Sequence, residues 1–236
     1  MVFVSLSSGD LIRERCLTVI NLLAGAGKTK LVSRVIDYVS QNGPHDQAMA
    51  YFYCNRNDTT RRSPEIILRS FVKQLSISLG EGTIHNALVE VYNAKKTRGF
   101  ASAKLTFEDC KSLLPTLIQT YPHTLLVLDA LDESYGSEDR DRGEERDRVE
   151  LIEFFNDLIA ESQHLKIFIS SRRDDDIKRQ LEKKANVGIE ATDNKKDISR
   201  FVAEKIDQSQ KRRPKAISES LRNEIIQTLL KKSQGM

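Results

Sequence analysis

The sequence predicts an α/β fold in which a parallel sheet lies between two layers of helices, as a three-layer sandwich. Short apolar runs rich in β-branched residues alternate with longer amphipathic stretches, which is the pattern of buried parallel strands joined by crossover helices. A glycine-rich turn separates the first run from the first amphipathic stretch, and three acidic residues follow the third run. The 236 residues suffice for one sizeable domain with a buried core.

Five apolar runs are candidate strands, because each ends near polar or glycine-rich residues. They begin at Cys16, Ala48, Thr124, Lys166 and, with a weaker pattern, Asn186.

The candidate helices between these runs have start signals or an apolar face. They cover 28–39, 63–79, 106–121 and 149–159, and two more follow residue 194. Ser63, Pro64 and Glu65 supply a cap, a first-turn proline and an acid, and Thr106 stands three residues before Asp109. The stretch 134–148 is rich in charge and glycine, which predicts a mobile loop.

The composition argues against several classes of function but does not identify a binding partner. The net charge of +3 is too small to indicate a nucleic-acid or acidic-membrane partner. The cysteines Cys16, Cys54 and Cys110 are far apart and lack C-x-x-C spacing, which argues against a disulfide framework or a zinc site. With no run of transmembrane length, we expect a cytoplasmic protein.

The turn after the first strand matches the second half of the phosphate-binding pattern G-x-x-x-x-G-K-[ST]. The predicted phosphate cradle consists of Ala24, Gly25, Ala26, Gly27, Lys28 and Thr29. Small residues let backbone N–H groups close around phosphate, and the positive end of the following helix favours the anion. Lys28 is expected to reach the β- and γ-phosphates, and Thr29 to present its hydroxyl to Mg²⁺. The predicted fold is therefore the P-loop NTPase sandwich.

One position departs from the pattern, because Leu22 stands where the first glycine is expected. Gly25 is the residue that supplies flexibility in its place. The alternative interpretation is a strand-to-helix turn that contains glycine and an incidental lysine.

A second motif lies where the strand at 124–129 runs into Asp129, Asp132 and Glu133, which resembles a Walker B element. A carboxylate at the end of a buried parallel strand lies on the ligand side of the sheet, so Asp129 is predicted to hold Mg²⁺ through water. Asp132 and Glu133 are candidates to orient or deprotonate the attacking water, with Glu133 favoured for its longer reach. The alternative is that these acids cap a helix or solvate a loop.

A third motif, Ser170 to Arg173, ends the fourth apolar run. A guanidinium there is placed to meet the γ-phosphate and stabilise the transition state, and Arg172 is preferred to Arg173 for this role. The alternative is an exposed arginine pair.

These motifs form an ordered series that resembles the NACHT-type NTPases of the STAND class, in particular the nephrocystin-like module of fungal relatives of NOD-like receptors. The matching segments are GAGKT, AYFYCNRND, SPEIILRSFVKQL, LLVLDALDE, FISSR and the helical tail. The resemblance implies that the strand ending at Arg172 lies between the P-loop strand and the Asp129 strand. It also implies a switch that exchanges diphosphate for triphosphate and then self-associates or engages a signalling partner.

The predicted organisation is an atypical segment at 1–15, the NTPase core at 16–192 and a helical extension at 193–236, which we expect to be truncated. The leading functional hypothesis is a signalling switch that binds ATP or GTP with Mg²⁺ and hydrolyses it slowly. The rival is a non-catalytic interaction module with degenerate nucleotide binding. An ATPase that handles nucleic acid is a third class, and the low net charge and few aromatic residues argue against it.

Overall fold

A computed structural model gives the architecture of the chain. The residues that it describes are 16–22, 27–77, 82–99, 104–134, 143–172, 174–182, 184–189, 195–212 and 218–233. The predicted N-terminal segment at 1–15 lies outside these ranges. None of the helices in the described ranges is both long enough and apolar enough to span a bilayer.

Five parallel strands of the described chain form one sheet, and each lies where the sequence predicts a strand. Their bounds are Cys16–Leu22 for β1, Gln47–Tyr53 for β2, His123–Asp129 for β3, Leu165–Ser171 for β4 and Ala185–Ile189 for β5. The order across the sheet is β2-β3-β4-β1-β5, with parallel pairing throughout. The strand β4 therefore lies between β1 and β3, as the family resemblance implies.

Helices connect the strands and form the outer layers. They are α1 (Lys28–Asn42), α2 (Pro64–Leu75), α3 (Asn86–Thr97), α4 (Phe107–Gln119), α5 (Gly143–Glu161), α6 (Asp175–Leu181), α7 (Lys195–Arg212) and α8 (Glu219–Ser233). Short 3₁₀ turns cover Thr59–Arg61 and Leu131–Glu133.

The central strands are apolar on both faces, and the two faces pack against different helices. In β3, Leu126 and Leu128 belong to the larger core cluster, which includes side chains of α2, α4, α5 and α6. The alternate residues Leu125 and Val127 pack in a smaller cluster with Val32 of α1. Because both faces of β3 are buried, its sequence is a continuous apolar run. The helices on both sides of the sheet confirm the predicted three-layer α/β sandwich.

Two predicted helix boundaries lie furthest from those in the structure. The helix predicted to reach residue 79 ends at Leu75, because the chain has left the helix by Ile77, which pairs with Ile84 in an antiparallel bridge. The helix predicted to begin at 149 begins at Gly143, inside the segment predicted as a loop. Glu and Arg are good helix formers, and their propensity extends the helix where the apolar pattern is absent.

The sequence also left two helices unpredicted. Helix α3 has no fully buried residue, so its apolar spacing is weak, and α6 has only seven residues. Neither carries the long apolar face from which a helix is predicted.

The last two helices pack together through Arg222 of α8, whose Nη1 lies 2.8 Å from Asp207 Oδ1 of α7. Ile206 of α7 is buried, but Phe201 is 59% exposed. The apolar face predicted for this part of the tail is therefore only partly covered within the described residues.

Candidate functional site

The turn into α1 keeps the last glycine of the predicted cradle in a left-handed conformation. Gly27 is the N-cap of α1 with φ 85° and ψ 27°, and its carbonyl accepts a hydrogen bond from Leu31 N–H at 3.0 Å. A Cβ at Gly27 would meet nothing within 4 Å, so the backbone dihedral, rather than lack of space, favours glycine here. The predicted cradle residues Ala24, Gly25 and Ala26 lie outside the described residues.

Lys28, the first residue of α1, makes a buried ion pair with Asp132. Its Nζ lies 3.0 Å from Asp132 Oδ1 and 3.2 Å from Oδ2. The Lys28 side chain is only 10% exposed and the Asp132 side chain is not exposed at all. The P-loop lysine and the acidic turn after β3 therefore meet in one site, while the neighbouring Thr29 is exposed.

Arg172 reaches the same carboxylate from the end of β4. Its backbone N–H donates to Asp132 Oδ1 at 3.0 Å. Its Nε lies 3.1 Å from Oδ2, which is an ion-pair distance without the alignment of a hydrogen bond. The Arg172 side chain is 41% exposed. Asp132 therefore contacts two cations, the buried Lys28 and the partly exposed Arg172.

Asp129, the last residue of β3, is fixed by the neighbouring strand. The carboxylate accepts a hydrogen bond from the Ser170 hydroxyl of β4, and Ser170 Oγ in turn accepts the Ala130 N–H at 2.9 Å. Asp129 is 1% exposed, and its carbonyl accepts the Cys54 N–H at 3.0 Å. The orientation of this carboxylate is therefore set before any ligand binds.

A left-handed residue separates the two buried aspartates. Ala130 has φ 56° and ψ 53°, and the 3₁₀ turn Leu131–Glu133 follows it. Such a backbone conformation is uncommon for a residue other than glycine and costs about 1 kcal/mol or more. After this turn, the Glu133 carboxylate lies near the loop that follows β2, where its Oε2 accepts the Arg56 N–H at 3.3 Å.

The three acids act on the thiol of a neighbouring cysteine. Cys54 is buried beside them, and burial together with the charges of Asp129, Asp132 and Glu133 raises the pKa of its thiol far above the ordinary range. The thiol is therefore neutral at physiological pH and is not a nucleophile.

The oxygen donors of the site fit Mg²⁺ better than a metal that prefers nitrogen or sulfur. Across the described ranges, no group of three or more His, Cys, Asp or Glu residues is arranged to hold a metal by itself. Mg²⁺ is commonly bound by one or two protein oxygens together with phosphate oxygens and water. The Asp129 carboxylate and the Thr29 hydroxyl are donors of that kind.

Comparison with protein families decides the relationship. The model of the nephrocystin 3 N-terminal family matches residues 10–172, which is more than half of the chain. The chain belongs to this family. The matched range of this nephrocystin family member contains Lys28, Asp129 and Asp132 and ends at Arg172, so it includes the first two predicted motifs and all of the third except Arg173.

Comparison with solved structures gives a more distant likeness. The Walker-type ATPase PabY2304 of Pyrococcus abyssi is similar over 80% of this chain, with 14% sequence identity and a TM-score of 0.43. The nephrocystin family member spans 53% of that chain, or about half its length. No curated protein matches the sequence.

The predicted site residues of this nephrocystin family member divide into two groups in the structure. Lys28, Asp132 and Arg172 are in direct contact, and Asp129 lies beside them through the hydrogen bond from Ser170. The Glu133 carboxylate is held by the loop after β2. Arg173 lies outside the described residues.

The roles of two residues at the site were not predicted from the sequence. Ser170, in the fourth strand, orients Asp129. Arg148 of α5 contacts the Asp132 carbonyl through Nη1 at 3.4 Å, and its Nε donates to Asp176 of α6 at 2.6 Å. The position of Ser170 two residues before Arg172 was a usable signal, whereas Arg148 stands in a charged stretch with nothing to distinguish it.

Proposed function

We propose that this nephrocystin family member binds a nucleoside triphosphate, ATP or GTP, with Mg²⁺ at the carboxyl edge of its sheet. The observation that carries the proposal is the convergence of Lys28 and Arg172 on one buried carboxylate, beside the fixed carboxylate of Asp129. Cations and oriented carboxylates at this edge are the groups that a phosphate chain and its metal require.

The roles follow from the position of each group. The backbone of the cradle and Lys28 would bind the β- and γ-phosphates, and Arg172 would approach the γ-phosphate from β4. Thr29 and Asp129 would hold Mg²⁺, which neutralises phosphate charge when bound. The hydrogen bond from Ser170 keeps the Asp129 carboxylate in one orientation, which favours a defined metal position.

Slow hydrolysis is part of the proposal, with Glu133 or Asp132 orienting or deprotonating the attacking water. The Asp132 carboxylate already contacts two cations, so its oxygens are less available to orient a water molecule. Among the contacts of the described residues, the Glu133 carboxylate accepts a hydrogen bond from the Arg56 backbone and contacts neither Lys28 nor Arg172, which supports Glu133 as the base. The bound nucleotide would then set the conformation offered to self-association or to a signalling partner.

The alternative proposal is a P-loop-fold interaction module with degenerate nucleotide binding. It is supported by Leu22 at the position of the first glycine, and by the ion pair that already satisfies Lys28 within the protein. In this proposal the edge of the sheet is structural, and the surface of the domain binds protein partners.

Titration with fluorescent ATP and GTP analogues, with and without Mg²⁺, distinguishes the two proposals. We expect saturable binding that Lys28→Ala abolishes, because this substitution removes the cation nearest the cradle. Lys30→Ala is the matched control, since Lys30 is an exposed residue of the same helix and should leave binding unchanged. Phosphate release from the same preparations measures hydrolysis. If the folded wild-type protein binds neither analogue at millimolar concentration, the switch is ruled out in favour of the interaction module.

A further inference from the structure

Asp132 is in contact with both cations that the nucleotide would use. Its carboxylate is fully buried, lies within 3.2 Å of Lys28 Nζ through both oxygens, and accepts the Arg172 N–H while pairing with Arg172 Nε. Lys28, Asp132 and Arg172 are here called the Asp132 clamp. Neither Asp129 nor Glu133 has this arrangement in the described contacts, since their carboxylates accept from Ser170 and from Arg56.

We propose that Asp132 is an internal competitor for the phosphate groups of the nucleotide, and that binding requires Lys28 and Arg172 to leave its carboxylate. The inference rests on the proposed function and adds a regulatory role to one residue of that site. Asp132 would thereby lower the affinity for nucleotide, because a ligand must carry enough negative charge to displace its carboxylate from the two cations.

The physical basis is competition between two anions for the same donors. A carboxylate and a phosphate are both strong acceptors for ammonium and guanidinium groups. The Lys28 side chain is 10% exposed and the Asp132 side chain is not exposed, so water screens their attraction weakly. A phosphate that engages Lys28 must therefore replace an existing contact rather than only displace water.

The position of the clamp also links the phosphate site to the rest of the molecule. Arg172 follows the last residue of β4, and Arg148 ties the Asp132 carbonyl to Asp176 of α6. Release of Arg172 from Asp132 would therefore act at the point where β4 passes into α6. Occupation of the phosphate site would therefore change the contacts of the clamp close to the start of that helix.

The test measures affinity for ATP in EDTA, where Mg²⁺-dependent hydrolysis cannot change the ligand. Asp132→Asn and Asp132→Ser both remove the competing charge, and the Asn amide oxygen can still accept the Arg172 N–H. We expect each to tighten ATP binding about tenfold, the effect of one close charge pair. Asp157→Asn is the matched control, because it removes an equal charge from an exposed position on α5 and should leave the affinity unchanged.

A double substitution tests whether the effect passes through the clamp. If Asp132 acts partly by holding Arg172, the tightening should be smaller when Asp132→Asn is introduced into an Arg172→Gln background than in the wild type. A non-hydrolysable ATP analogue with Mg²⁺ should show the same order of affinities. Circular dichroism and a urea unfolding curve establish that each variant is folded.

The outcomes separate this inference from the proposed function. If the wild type and every variant fail to bind nucleotide, the proposed function fails. If the wild type binds and both neutral variants bind equally or more weakly, the competitor role of Asp132 is refuted while the function stands. Unfolding of both neutral variants also overturns the inference, because it would make Asp132 a structural requirement of the fold rather than a competitor.

Discussion

Asp129 and Asp132 are three residues apart and equally buried, but their neighbours give them different chemistry. Asp129 accepts a hydrogen bond from a neutral hydroxyl, whereas Asp132 is shared between two cations. The left-handed conformation of Ala130 makes this separation possible, because it breaks the strand and starts a 3₁₀ turn. One short segment thus provides both the proposed metal ligand, Asp129, and the carboxylate that pairs with Lys28.

The first prediction at this scale concerns thiol reactivity. Burial and the neighbouring acids raise the pKa of Cys54 far above normal, and burial raises that of Cys110 to about 12. Since the thiolate is the reactive form, neither residue should be alkylated by iodoacetamide at pH 8 in the folded protein. Mass spectrometry of peptides measures labelling at each site, and protein unfolded in urea is the positive control. Rapid labelling of Cys54 in the folded protein would contradict the described packing.

The sequence predicted which residues meet at the site but not how they pair. Lys28, Asp132 and Arg172 each come after a strand of one parallel sheet, and the carboxyl ends of such strands share an edge. The pairing depends on the backbone of Ala130, an alanine in a conformation that its side chain does not favour. Predictions from sequence patterns rely on the conformations that each residue type prefers. The pairing could therefore not be predicted, because it depends on an alanine in an unfavoured conformation.

At the scale of elements, helices with a capping signal in the sequence could be predicted. Other features of the helices and strands depend on tertiary contacts. The box formed by Thr106 and Asp109 starts α4 as predicted, whereas α3 has no comparable signal. The edge strand β2 is protected by a contact that no local pattern predicts. Gln74 of α2 accepts the Tyr51 N–H at 3.0 Å and donates to the Tyr51 carbonyl at 2.9 Å, satisfying backbone groups on the edge of the sheet.

The prediction at this scale is a pH-dependent loss of stability in Asp109→Asn. Burial opposes ionisation of Asp109, but hydrogen bonds from Lys95 and Thr106 outweigh it and lower the pKa of its carboxyl. The charged form therefore stabilises the folded protein above the unfolded pKa of about 3.9, and this contribution disappears as pH falls through the lower folded value. We expect the free energy of unfolding to fall by about 1 kcal/mol at pH 7.

Urea unfolding curves across a pH series measure this effect. The difference between the wild type and Asp109→Asn should shrink on acidification, because the wild-type carboxyl then also loses its charge. Asp157→Asn, at an exposed position, should show little difference at any pH. A difference for Asp109→Asn that stayed constant down to the lowest pH would exclude the charge as its cause.

At the scale of the whole molecule, stability and the proposed phosphate site depend on the same sheet. The strands that bring the site residues together are buried on both faces, and the larger cluster unites helices α2, α4, α5 and α6. The alternation of apolar and amphipathic segments was enough to predict this architecture. It was not enough to predict how the tail packs, because α7 leaves Phe201 exposed where its pattern predicts an apolar contact.

The core of the sandwich, rather than the tail, should therefore contribute most of the free energy of unfolding. Phe155 of α5 is fully buried, with its ring 6.3 Å from that of Phe71 and 6.4 Å from that of Phe154. Phe155→Ala should lower the free energy of unfolding by about 3 to 5 kcal/mol, because it removes apolar contacts and leaves a cavity. Phe201→Ala makes the same chemical change at a side chain that is 59% exposed, and its effect should stay within about 0.5 kcal/mol. Urea denaturation measures both, and equal losses for the two variants would mean that the tail is as much a part of the cooperative core as α5.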